Sequence, residues 1–246
     1  MRYKDVINKL RSLANPKNVA GMARFGINPH KTLGVSIPHL RALAKKTGKN
    51  HTLALQLWAS GIHEARILSG LVDEPEKVTG RQMDKWAKDF DSWDVCDGAC
   101  MNLFDRLDCA PKKAIEWSKR KEEFVKRAGF ALMACLAWHR PAPSGTGQRN
   151  AMKDGEFVRF LPLIKRESAD SRNFVKKAVN WALRQIGKRN PYLNRRAIKA
   201  AVEIQKTDSR PARWIAADAI RELTGKAVQT RLRQAKRRRT LVLCGV

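Results

Sequence analysis

The amino-acid sequence predicts an all-α protein, a curved α-solenoid of stacked helical pairs with a concave basic face. Three observations predict it. Apolar residues recur at helical spacing, whereas strand-like alternation bounded by turn residues is hard to find. Short segments recur tens of residues apart. The chain also carries 50 Lys+Arg against 23 Asp+Glu, a formal net charge of +27 over 246 residues. Such an excess predicts a polyanionic partner, most simply DNA or RNA.

Helices are expected near 3–13, 36–47, 50–60, 63–72, 80–90, 92–106, 111–119, 122–139, 156–165, 171–188, 191–206 and 210–224. Pro38 suits the first turn of one helix. Asp91 and Ser92 can cap the helix that follows them. Asn190-Pro191 ends one helix and starts another. The recurrence is clearest between Phe124-Val125-Lys126-Arg127-Ala128 and Phe174-Val175-Lys176-Lys177-Ala178. Ala182-Leu183-Arg184 recurs loosely as Ala219-Ile220-Arg221, and Arg66 to Leu71 has a similar aliphatic pattern. HEAT-type repeats run roughly 40–47 residues, so the chain holds about five or six. Stacked pairs curve, and a curved basic surface can follow a duplex backbone.

One helical-repeat domain is expected over 1–225. A basic C-terminal tail over 226–246 should be frayed or disordered. Its cations, Lys226, Arg231, Arg233 and Lys236 to Arg239, all follow the last acid, Glu222, yet removing them leaves the body strongly basic. Arg140 to Arg149, rich in Pro and Gly, is loop chemistry between repeats.

Several function classes are excluded. The longest apolar run, Gly129 to Trp138, has ten residues, whereas a membrane span needs roughly 20. Met1-Arg2-Tyr3-Lys4-Asp5 leads into an amphipathic stretch rather than a secretory signal. Five irregularly spaced cysteines read as reduced thiols in a cytoplasmic protein. Cys96, Cys100 and Cys109 lack paired zinc spacing. His63-Glu64-Ala65-Arg66-Ile67 lacks the second histidine of a metalloprotease helix. Gly145-Thr146-Gly147 follows no strand, so it is no nucleotide-binding turn. No metal, no cofactor and no membrane are expected, and the protein should be a monomer.

The most informative stretch is Phe90 to Cys100. It sets Trp93 and Asp97 four residues apart, on one face at the start of a helix, where the helix dipole favours an ionised aspartate. The spacing alone leaves two readings: a site, or a core tryptophan beside an aspartate paired with a nearby cation. Arg127, in the otherwise apolar helix Phe124 to Trp138, either sits at a helix edge or faces a groove and holds a phosphate. Trp181, on a helix rich in Arg and Lys, is either core or an aromatic face offered to a nucleotide.

Taken together these residues resemble the AlkD-type DNA alkylation repair proteins, a family of HEAT-like-repeat DNA glycosylases. The resemblance spans roughly residues 33–224. Ser92-Trp93-Asp94-Val95-Cys96-Asp97 looks like the family's tryptophan–aspartate motif. Val125 to Leu132 looks like its arginine helix, and Phe174 to Arg184 like its second tryptophan helix, with Asn190-Pro191 following in place. The resemblance implies removal of cationic N3- and N7-alkylated purines from duplex DNA, without inserting the base into a pocket. It implies Asp97 as the catalytic carboxylate, Trp93 and Trp181 against the lesion's deoxyribose, and Arg127 on the DNA backbone. The chain departs at Ser92, where the family often has a second tryptophan. It departs also at Ser36, smaller than its counterpart in well-known members, in the 141–147 loop and in the long basic tail. A non-catalytic helical-repeat protein that binds DNA or RNA as a scaffold or structure sensor is the alternative.

Overall fold

A computed structural model describes residues 1–138 and 152–243, with side chains as far as residue 234. The expected loop at Arg140 to Arg149 lies outside the described residues. Every regular element among the described residues is helical.

The helices gather into two compact units, Met1–Ala110 and Pro111–Val246. A single domain over 1–225 was the expectation from an uninterrupted helical pattern.

The first unit holds α1 (Tyr3–Ser12), α2 (Pro16–Arg24), α3 (Ile37–Thr47), α4 (His51–Ala59), α5 (His63–Val72), α6 (Gly80–Lys88) and α7 (Trp93–Asn102). α2 was not expected. Pro16 reads as a breaker, but as the first residue of a helix it loses no hydrogen bond. Asn15 caps α2 by accepting from the Lys17 and Asn18 amides at 3.1 and 3.3 Å. No residue of α2 is buried. α7 stops at Asn102 rather than 106, because Leu103 leaves helical geometry at φ −138°, ψ −60°; a single 3₁₀ turn, Phe104–Arg106, follows. The core centres on Trp58 and Trp86, stacked with ring centroids 4.0 Å apart, and Phe90 meets Trp58 edge-on at 5.9 Å. The indole N–H of Trp58 donates to Asp89 at 2.8 Å, so its polar atom is satisfied inside the core.

The second unit holds α9 (Glu123–Trp138), α10 (Asp154–Val158), α11 (Leu161–Glu167), α12 (Asn173–Gly187), α13 (Pro191–Gln205), α14 (Arg210–Thr224) and α15 (Lys226–Leu243), with α8 (Ala110–Trp117) entering it from the boundary. The expected 156–165 helix is two helices. Pro162 cannot donate to Val158 and its ring crowds that carbonyl, so α11 begins afresh with proline in its first turn. The repeated segments meet in space: Phe124 and Phe174, equivalent in the two copies, stand 5.4 Å apart by ring centroid. Gly129 lets α8 and α9 touch, since a Cβ there would lie 2.5 Å from the Ser118 amide nitrogen. Asn190 caps α13 through the Leu193 amide at 2.9 Å, as its place before Pro191 suggested. The stretch expected as a tail is helical from Lys226 to Leu243, with Val228 and Leu232 buried.

Candidate functional site

In the first unit, residues at helical spacing on α7 share one face, and Trp93, Asp94, Asp97, Gly98, Met101 and Asn102 all line a cavity of about 600 Å³. Opposite them stand Met22, Phe25, Val35, Ile37 and Ile67, with Lys17 and Arg41 among the lining residues. Phe25 is 74% exposed and Ile37 42%, so apolar surface opens to solvent there. Asp97 is half-buried and so is Trp93. The structure therefore brings these two predicted residues together on an open wall.

The wall opposite α7 is built by a segment with no regular structure, residues 25–36, and the chain ties it down at both ends. Trp93 Nε1 donates to the Phe25 carbonyl at 3.1 Å. Ser92 is fully buried, and its hydroxyl accepts from the Asn28 amide at 2.9 Å. The expected cap is thus corrected. Ser92 occupies the N-cap position of α7, but its side chain makes no cap hydrogen bond; its hydroxyl accepts from the Asn28 amide instead. Asn28 Nδ2 reaches Asp91 at 3.1 Å.

Glu64, fully buried, holds the other end. Its carboxylate accepts from three successive amides, those of Leu33, Gly34 and Val35, the shortest at 2.6 Å. Three N–H donors converging on one carboxylate offset the cost of burying its charge. Gly34 is required there: at φ +79° an added Cβ would meet the Asn15 carbonyl oxygen at 2.2 Å. Beside it, His63 Nε2 lies 2.9 Å from Asp94 Oδ2. Burial pushes the imidazole pKa down, but the Asp94 hydrogen bond and charge, helped by Glu64 and Asp91, outweigh burial and raise it above the ordinary value. Sequence reasoning set His63 and Glu64 aside once no metal motif was found. The available signal was a charged pair opening an apolar helix in a protein short of acids.

Arg127 and Trp181 belong to the second unit. Arg127 is buried, 6% exposed, and its Nη1 donates to the Phe174 carbonyl at 2.6 Å. This guanidinium links α9 to α12, a positioning role that neither sequence reading included. Trp181 is half-buried on α12, flanked by fully buried Asn180 and Ala182. Among the described residues there is no cluster of three or more His, Cys, Asp or Glu fit to hold a metal, and no helix is long and apolar enough to cross a membrane.

Comparison with known proteins accords with this architecture. A solved structure described as a new family of proteins related to the HEAT-like repeat DNA glycosylases, with affinity for branched DNA structures, superposes with a TM-score of 0.73. It covers 90% of this chain and 95% of its own at 19% identity, and so shows a shared fold, an all-α repeat structure. The uncharacterized protein Lin0241 of Listeria innocua serovar 6a is 27% identical over 134 residues, 53% of this chain. That match spans 60% of the relative's length. The family model described as DNA alkylation repair enzyme matches residues 6–223, and the chain belongs to that family.

Proposed function

We propose that the protein is a DNA glycosylase that hydrolyses the N-glycosidic bond of cationic N3- and N7-alkylated purines in duplex DNA, the first step of base excision repair. The observation that carries this reading is Asp97 and Trp93, one helical turn apart on the open wall of a cavity in a strongly basic protein of the DNA alkylation repair family.

Alkylation puts a positive charge on the purine, so the base leaves without a general acid. As the C1′–N bond breaks, its electron pair passes to the base and neutralises it, and the sugar gains oxocarbenium character. Asp97 stabilises that cation and orients a water whose oxygen bonds to C1′ and whose proton passes to solvent. The Trp93 indole excludes water beside the sugar, which strengthens the carboxylate's field, and presents a negative ring face to the cation. Trp181, half-buried on α12 of the second unit, offers an aromatic face to a nucleotide. Arg127, buried and donating to the Phe174 carbonyl, fixes α9 against α12. Lys17 and Arg41 supply phosphate contacts at the cavity. Neutral bases leave too slowly for this chemistry, so selectivity follows the lesion's charge rather than hydrogen-bond readout.

The test is release of free base from methylated duplex DNA. Asp97→Asn should slow release of 7-methylguanine by about 10²–10³-fold while DNA binding survives; unchanged excision refutes the assignment. A second reading rests on the structural neighbour, described as having affinity for branched DNA: a non-catalytic DNA-binding protein that senses structure. Binding by the unmodified protein with no base release favours it.

A further inference from the structure

In the second unit, α12 and α14 lie side by side. Asn180 reaches Asp218 at 2.7 Å and Arg184 reaches Glu222 at 2.6 Å. This pair carries both cations and indoles. α12 presents Lys177, exposed, and Trp181 one turn on. α14 presents Trp214 with Arg210 one turn before it, together with Arg213 and Arg221, all exposed.

Trp214 is 43% exposed. Lys176 Nζ stands 4.8 Å from its ring centroid, a cation–π contact with the indole. Two of the arginines are balanced, Arg213 by Asp208 at 2.9 Å and Arg221 by Asp218. Lys177 and Arg210 have no ion pair among the described residues. A cation-only surface would suffice to hold a phosphate backbone. The indole adds something the backbone does not use: a flat π surface amid cations, the pairing that binds single-stranded nucleic acid by stacking.

We propose that Trp214 is a stacking platform for an unpaired base of DNA, with Lys177 and Arg210 holding the flanking phosphates. Bases inside an intact duplex are already stacked on their neighbours and cannot use this surface. A nucleotide freed at a fork or branch can. The contact adds preference for DNA with unpaired bases to the salt-sensitive backbone attraction of the basic chain. It concerns binding alone and does not depend on bond cleavage or on Asp97.

The experiment measures affinity of the full chain, by fluorescence anisotropy, for a forked duplex with a single-stranded arm and for a blunt duplex of the same paired sequence. Trp214→Ala should weaken fork binding about tenfold and leave blunt-duplex binding within about twofold. Trp214→Phe should restore most of the loss. Trp214→Leu, which keeps apolar bulk but has no π face, should lose fork preference as the alanine variant does. Arg210→Ala should weaken both substrates and flatten the salt dependence. Equal losses on fork and blunt duplex, an unchanged fork affinity, or full retention by Trp214→Leu would overturn the proposal.

Discussion

His63 Nε2 and Asp94 Oδ2 stand 2.9 Å apart, the imidazole 3% exposed and the carboxylate 15%. Their contact joins the first turn of α5 to the first turn of α7, and both residues line the cavity together with Asp97. An imidazole whose pKa rises on folding binds its proton more tightly in the native state. Its contribution to stability is therefore full below the unfolded value of about 6.5 and declines as pH rises through the raised native value. Thermal melts from about pH 6 to about pH 9 should show this decline. His63→Gln should remove it; an unchanged pH slope in that variant would show that the pair does not titrate.

Glu64 receives three consecutive backbone amides through one carboxylate. Glu64→Gln keeps the shape but removes the charge and turns an NH₂ group toward N–H donors. Loss of a buried, charge-assisted set of bonds should cost roughly 3 kcal/mol. Urea denaturation measures it, and a loss below half that figure would mean that the 33–35 amides find other acceptors.

Trp93 has two duties, a ring in the cavity wall and an N–H on Phe25. Trp93→Phe keeps an apolar ring and loses the hydrogen bond, so stability should fall by about 1 kcal/mol. Under the glycosylase reading, base release should fall by no more than about tenfold, whereas Trp93→Ala should cost much more. Single-turnover rates on methylated DNA separate the two, and equal losses would place the contribution in the N–H.

Arg127 is bonded to Phe174 within the second unit, so its removal disturbs α9 and α12 before any effect on DNA. Arg127→Lys retains a cation but not the planar fork, and should lower stability by roughly 1–2 kcal/mol. Calorimetry read beside DNA affinity decides between roles. Weaker binding in a variant that melts like the parent assigns the residue to DNA contact; parallel losses assign it to helix packing.

Local pattern was enough for much of this protein. Charge excess, 3.6-residue periodicity and the Phe124 and Phe174 repeats pointed to stacked helices, and a spacing of four put Trp93 and Asp97 on one face, because helix geometry depends only on near neighbours in sequence. Tertiary structure decided what those residues face. Ser92 meets Asn28 across 64 positions, Trp93 meets Phe25 across 68, and Glu64 reaches back about 30 to hold the segment opposite α7. That segment has no period to read, and a buried carboxylate is recognisable only once its donors have been brought to it. The grouping into two units was equally hidden, since helices of the same pattern continue through Ala110 while the contacts that group them arise only from long-range packing.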